Sequence, residues 1–382
     1  MDPLLVYLVF VALVWCKRAL WLSAIRRSDP PIRPVAAGPG SPRVSVIIPA
    51  RNEERNIGRC LDSILVQDYP DYEVIVVDDR SGDRTPEILE DYRGRSGGRL
   101  RIVRVEQLPP GWTGKNHAMW VGSRAAASDW LLFTDADTRH DRLCLASAVT
   151  TALKGDIDFL TLAPETESVT FWEKTVQPLA VSSIALWFDP RKVNDPKSGV
   201  VIANGQFILV RRSVYEAVGG SQAVKDRVVE DVELARLVRG SGHAIKFLDG
   251  TLLYATRMYS SLAEIKTGWT RIFTHLFEKN VAALAHKIFL FLFFSIGPFA
   301  ALAAAAARTA GSGVGSPELT LSAAVCALIV VIRAAGNLRV RTNPVYALLH
   351  PVGSAVMVWI LGICVWRVLA DRPSPWRGDQ LR

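Results

Sequence analysis

Asp135-Ala136-Asp137 follows the β-branched and aromatic run Trp130–Thr134, so two carboxylates stand one residue apart at the end of an expected strand. On extended backbone, the period-two alternation of side chains puts both on one side. Two carboxylates that close repel and raise each other's pKa unless a cation lies between them. Hard oxygen ligands without neighbouring histidines suit Mg2+ or Mn2+, ions that characteristically bridge protein carboxylates to a substrate's phosphates. The six histidines show no H-E-x-x-H spacing, and the five cysteines include no C-x-x-C pair. Neither a histidine-built metal site nor a disulfide framework is expected.

Two other strand-like runs end in similar groups. Residues 44–48 (VSVII) lead into Pro49-Ala50-Arg51-Asn52-Glu53-Glu54, and residues 73–77 into Asp78-Asp79-Arg80-Ser81. In open parallel sheets ligands bind beyond the carboxyl ends of the strands, so these segments would share one rim with Asp135 and Asp137. Any one of them could simply cap a helix or close a turn. Three converging on one rim favour function. Glu230-Asp231 lies in the first turn of a helix expected over 229–239, where the dipole favours acids in any case. A carboxylate there can also serve as a base if substrate excludes water. Lys115 follows a turn-rich segment, 108–114, that lacks the spacing of a P-loop. At a helix N-terminus it could pair with a diphosphate.

These residues need a scaffold, and the chain supplies one by alternation. Strands are expected at 44–48, 73–77, 100–105 and 130–134, with helices at 55–66, from Thr85-Pro86 onward, and at 116–128. Buried, non-alternating strands between helices indicate an α/β fold with a mostly parallel sheet covered on both faces. After residue 155 the pattern is less regular, with strands expected at 159–162, 207–210, 244–247 and 252–255. Residues 42–260 are read as one domain.

The flanks are of another kind. Hydrophobic residues make up 49% of the chain, charged residues 21%, and the mean hydropathy is +0.19, which points to a membrane component. Residues 1–27 read as an uncleaved transmembrane anchor, because their charges follow the apolar run. Residues 288–370 hold three more runs, 288–307, 319–335 and 344–370, each near or above the length that crosses a bilayer. Residues 371–382 form a tail. Between domain and helices, 261–287 mixes basic and aromatic residues around Gly268-Trp269-Thr270-Arg271 and reads as an amphipathic segment at the headgroups. The formal charge is +8, yet residues 42–307 carry 32 charges of each sign and the excess lies in the flanks. No nucleic acid is expected as a partner, since a binder would carry its basic excess on the folded domain. Arg26, Arg27 and Arg33 after the first run, with Arg333, Arg339 and Arg341 between the third and fourth, place the domain on the cytoplasmic side of a multi-pass protein of the cell membrane. Arg367, Arg372, Arg377 and Arg382 then fall outside, which leaves a re-entrant last segment as the alternative.

Taken in order, the blocks 44–53, Val76-Val77-Asp78-Asp79-Arg80-Ser81, Asp135-Ala136-Asp137 and Glu230-Asp231 resemble the family 2 glycosyltransferases of GT-A fold. The segment Pro110-Gly111-Trp112-Thr113-Gly114-Lys115 is similar to the membrane-bound subset that includes hopene-associated and carotenoid-type enzymes. The resemblance implies a nucleotide-sugar donor, UDP- or GDP-linked. Asp79 or Asp78 would contact the nucleoside, and Asp137, helped by Asp135, would hold the divalent cation on the diphosphate. Pro49, Asn52, Glu53 and Lys115 would line the donor site. Asp231 would be the base that deprotonates the acceptor, with Glu230, Gly205, Trp269 and Arg271 as further acceptor or diphosphate candidates.

Processive polysaccharide synthases of this superfamily carry Q-x-x-R-W near residue 270, and this chain does not. That departure favours transfer of one sugar, and the ties to the bilayer at both ends favour a lipid acceptor; the resemblance implies inversion and an acceptor such as a hopanoid or carotenoid. The rivals are a processive synthase subunit and a catalytically silent membrane scaffold. Retention of Asp79, Asp135, Asp137 and Asp231 speaks against the scaffold.

Overall fold

The computed structural model describes residues 2–310, 316–372, 374–376 and 379–381. Of the expected tail, 371–382, residues 373, 377, 378 and 382 lie outside them. After a first long helix, α1 (Pro3–Ser28), the chain alternates strand and helix: β1 (Val44–Ala50), α2 (Ile57–Ile64), β2 (Tyr72–Asp79), α3 (Thr85–Arg95), β3 (Leu100–Val105), α4 (Gly114–Ala125) and β4 (Trp130–Thr134). The next part is irregular, with β5 (Thr138–His140), α5 (Cys144–Lys154), β6 (Phe159–Ala163), β7 (Glu165–Thr166), α6 (Phe171–Trp187), β8 (Phe207–Arg211), α7 (Glu230–Gly240), β9 (Ile245–Asp249) and β10 (Tyr254–Thr256).

Seven strands form the main sheet in the order β3-β2-β1-β4-β8-β6-β9, and β5-β10-β7 form a smaller one. Strands β1 to β4 run parallel, and β8 runs antiparallel to both neighbours, β4 and β6. The mixed α/β sheet of a GT-A fold is thus present. Its direction pattern decides what reaches the rim. β1, β2, β4 and β6 end there, and β8, reversed, begins there. Burial explains the sequence of β1: Val44, Val46 and Ile48 pack into one apolar cluster and Ile47 into another on the opposite face. Ser45, buried on the Ile47 face, donates to Glu73 Oε1 at 2.7 Å and lies 2.8 Å from Ser128 Oγ, so its hydroxyl is not stranded.

Beyond the sheet come α8 (Leu262–Leu276) and three apolar helices: α9 (Val281–Ala310), α10 (Pro317–Arg339) and α11 (His350–Leu369), the last preceded by a 3-10 turn from Pro344. With α1, the described residues hold four helices long and apolar enough to cross a membrane. The structure differs from the sequence reading at the junction. The expected headgroup segment 261–287 is divided, since α9 already starts at Val281. Nor does Trp269 face outward. It is 2% exposed and packs in the cluster that joins α6, α8, α9 and α11, donating from Nε1 to Gln177 Oε1 at 2.7 Å.

Inside α9 a π-helical turn spans Leu292–Ile296. Pro298 has no N–H to give to the carbonyl one turn earlier. Trp15 Nε1 of α1 donates to that Phe294 carbonyl at 2.8 Å, and Tyr7 Oη donates to Phe293 O at 2.6 Å. Side chains of α1 thereby satisfy backbone groups that hydrocarbon cannot.

Candidate active site

At the rim where the strands converge lies a cavity of about 400 Å3. Part of its lining is polar. Pro49 and Glu53 reach it from β1 and the loop beyond, Asp79 from β2, Lys115 from α4, Asp135 and Asp137 from the loop after β4, and Glu230 and Asp231 from the first turn of α7. Another part is apolar, walled by Ile184, Ala185 and Phe188 around α6, by Ile272 and Leu276 of α8, and by Met258. Trp269, Arg271 and Gly205 line it as well.

Asp135-Ala136-Asp137 is not extended backbone: β4 stops at Thr134 and the triplet bends through a turn into β5. The period-two argument therefore does not account for the shared facing of the two carboxylates. The turn brings both to the cavity. It is held by Thr138, whose Oγ1 donates to Asp135 O at 2.7 Å and is itself buried against Thr134 Oγ1 at 3.1 Å.

Lys115 sits in the middle of the acids. Its Nζ is 2.8 Å from Asp135 Oδ1 and 2.9 Å from Glu230 Oε1. Burial works against its charge, but Asp135, Glu230 and Asp231 outweigh it and hold the ammonium protonated well above the usual lysine range. Thr113 caps α4 by accepting from Asn116 N at 3.3 Å. The Asn116 amide donates in turn to the carbonyls of Val224 at 2.7 Å and Arg227 at 2.9 Å. One buried asparagine thus fixes Lys115 against the chain that leads to Glu230. Sequence reading passed over Asn116, and also Arg227 and Tyr259, which line the cavity from loops without any periodic signal.

Gly205, in the turn before β8, donates its N–H to Asp231 Oδ2 at 2.7 Å. A Cβ there would meet Lys115 Nζ at 3.1 Å, Glu230 Oε1 at 3.2 Å and Asp231 Oδ2 at 3.3 Å, so any larger residue would push these three groups apart by a few tenths of an ångström. Gly114 plays the same part for Asp79, whose Oδ2 would stand 2.4 Å from an added Cβ. Asp79 also pairs with Arg80, Nε to Oδ1 at 2.8 Å.

Asp78 and Asn52 are placed otherwise than expected of donor-binding groups, and neither is among the described residues that line the cavity. Asp78 Oδ1 accepts from Ser81 N at 3.3 Å, closing the turn after β2. Asn52, at φ 53°, accepts from Gly82 N at 2.8 Å on Oδ1 and donates from its own N–H to Ser81 Oγ at 3.0 Å. It ties the loops after β1 and β2 together, and asparagine tolerates that left-handed backbone. Both residues shape the rim from behind.

Asp231 has the environment a base requires. Burial among protein atoms at the cavity wall, with Glu230 beside it, pushes its carboxyl up to about 7, against the opposing pull of Lys115 and of the N–H groups of Val232 and Gly205. A base must be ionised to accept a proton. If it acts in that role, kcat/KM rises about tenfold per pH unit below about 7 and levels off above, as expected for a free-enzyme carboxylate titrating there. A rate profile from pH 5.5 to 8.5, run with Asp231→Asn alongside, checks this, and persistence of the limb in the variant would assign it to another group.

The donor set also fits a divalent cation. Asp135 and Asp137 offer only oxygen, and the ammonium against Asp135 shows that the position already holds a positive charge. Among the described residues no group of three or more His, Cys, Asp or Glu could hold an ion unaided. That suits Mg2+ or Mn2+, which are commonly bound by one or two carboxylates with substrate phosphates completing the shell.

Residues 45–219 match the family model described as Glycosyl transferase family 2. The chain is similar to the 4,4'-diaponeurosporenoate glycosyltransferase of Staphylococcus aureus, 26% identical over 236 residues in strain USA300 and 27% in strain MRSA252. That alignment covers 60% of this chain and spans 60% of the length of those relatives. Among solved structures, the mannosyltransferase PcManGT from Pyrobaculum calidifontis, in complex with GDP-Man and Mn2+, is similar with a TM-score of 0.57. The two are 22% identical, and the superposition covers 96% of this chain and 99% of that one, a likeness of fold.

Proposed function

We propose that this chain, which carries a glycosyltransferase family 2 domain over residues 45–219, moves a single sugar from a nucleoside-diphosphate sugar to a lipid acceptor at the cytoplasmic surface of the membrane, with inversion. The observation that carries this reading is the cavity's lining of two kinds. Its charged part suits a sugar diphosphate and its apolar part suits a hydrocarbon body. The apolar wall is built by α6 and α8, which pack directly on the membrane helix α11. An acceptor dissolved in the bilayer would meet the site at high effective concentration. The solved PcManGT complex with GDP-Man and Mn2+, and the relatives named for a carotenoid-type acceptor, support the same reading.

In this account Asp79 holds the nucleoside, with Glu53 and Pro49 beside it, and Lys115 turns from Asp135 toward the donor's diphosphate. Asp137 and Asp135 would hold a divalent cation, which when bound neutralises charge on the leaving diphosphate. The acceptor oxygen bonds to the anomeric carbon as the bond from that carbon to the diphosphate breaks. Asp231 takes the acceptor's proton, and the nucleoside diphosphate departs. One displacement with one base inverts the anomeric centre.

The apolar wall gives a direct test. Ala185→Trp, on the side of α6 that faces the cavity, should raise KM for a lipid acceptor by about 10- to 100-fold, the equivalent of about 1–3 kcal/mol of overpacking. Donor Kd, measured by calorimetry, should stay within about twofold. Equal losses of donor and acceptor binding would remove the assignment of this part to the lipid.

A further inference from the structure

Arg18 of α1 and Arg333 of α10 stand inside the apolar bundle without a carboxylate partner among the described residues. Arg18 lies over the Trp15 ring at 4.8 Å and the Phe294 ring at 5.6 Å. Arg333 Nη1 donates to Ser182 Oγ of α6 at 2.9 Å. The only acid in the four membrane helices is Glu318, fifteen residues before Arg333 on α10 and so about 22 Å away along the axis. Arginines toward the end of a membrane helix reach for the headgroup level, and two there without a carboxylate mark a polar ligand.

The two arginines lie on neighbouring stretches of α1 and α10. Arg339 Nη1 of α10 reaches Leu22 O of α1 at 3.5 Å, and Arg333 and Arg18 stand six and four residues earlier on the two helices. They lie toward the end of the bundle next to the domain, where Trp21 Nε1 donates to Asp189 Oδ2 at 2.8 Å and Ile32 N to Asp249 O at 2.9 Å. His350, at the start of α11, joins them. It is 3% exposed, its ring is 5.5 Å from that of Trp15, and neither ring nitrogen has a hydrogen-bond partner among the described residues. Both arginines lie near enough to act on it electrostatically.

We propose that Arg18, Arg333 and His350 form a binding site for a phosphate group of net negative charge, not neutralised by a choline of its own, at the headgroup level of the domain-side leaflet, separate from the cavity described above. Two guanidinium groups and an unpartnered imidazole are the donors a phosphate takes, and charge-assisted bonds to it would satisfy all three. Ser182 connects the site to α6, whose neighbouring residue Val181 lines the cavity. A bound phosphate would therefore steady the wall on which the acceptor rests.

The test uses the full chain in nanodiscs that mix phosphatidylglycerol and phosphatidylcholine, released into mild detergent and weighed by native mass spectrometry. Wild-type protein should retain phosphatidylglycerol selectively, and the Arg18→Leu/Arg333→Leu double variant should retain about tenfold less. The lysine counterpart, Arg18→Lys/Arg333→Lys, should retain an intermediate amount. A second arm adds millimolar inorganic phosphate to protein in phosphatidylcholine alone. Thermal protection of the wild type but not of the leucine variant would support the site with free phosphate as its occupant. Selective retention of phosphatidylglycerol would support it with the lipid as occupant. Equal retention of both lipids by the wild type, with no protection by phosphate, would overturn the proposal even if the leucine variant fails to fold. So would a folded leucine variant that behaves as wild type.

Discussion

Asp231→Asn is expected to lower kcat by on the order of 10^3 while donor affinity stays within about twofold, because a positioned base contributes roughly 10^2- to 10^4-fold. The substitution is nearly isosteric. Its amide oxygen can still accept from Gly205 N, now 2.7 Å from Asp231 Oδ2, so the turn before β8 should hold. What is lost is a carboxylate that can take a proton, together with one charge facing Lys115. Isothermal titration with donor separates the two effects from single-turnover chemistry. Donor binding that weakens in step with kcat would make Asp231 a donor ligand and leave the base unassigned.

The second large effect is expected at the other carboxylate. Asp137→Ala should weaken donor binding by on the order of 100-fold in the presence of Mg2+ or Mn2+, since each factor of ten is about 1.4 kcal/mol and a lost ligand charge outweighs that. In the presence of a chelator the variant and wild type should bind donor alike. Removing Asp135 should do less, because Lys115 would be freed from its 2.8 Å pair and could turn wholly to the diphosphate. Competition with a fluorescent nucleoside diphosphate, with and without metal, reads both. A donor affinity in Asp137→Ala that still rises on adding metal would place the cation elsewhere.

Much of the scaffold was legible because burial writes itself into residue type. The β-branched runs of β1 and β2, covered on both faces, and the N-terminal proline of α3 left local signals that survive in any context. The reversal of β8 left none: Phe207–Arg211 reads the same in either direction, and pairing with β4 and β6 decided its sense. The site divided along similar lines. Asp135, Asp137 and Asp231 stood out by type and spacing, whereas the facing of the first two came from a turn that periodicity does not describe. Asp78 and Asn52 carried the same signal as Asp79 and Glu53, and only the loop hydrogen bonds show that they brace the rim. Trp269 read as an interfacial aromatic because its partner, Gln177, is 92 residues away. Contacts of that range, like the pairing of Lys115 with Glu230, are properties of the folded chain.

The central claim is that sugar passes from a nucleotide donor to a lipid. The most direct measurement is turnover by the detergent-purified chain of UDP- and GDP-linked sugars labelled in the sugar, with Mg2+ or Mn2+ and a membrane-lipid extract, followed by partition into an organic phase. The account predicts release of nucleoside diphosphate that needs both metal and extract, with one labelled sugar per organic-soluble product by mass. Release that proceeds without the extract, or label that stays in a water-soluble polymer, would contradict it.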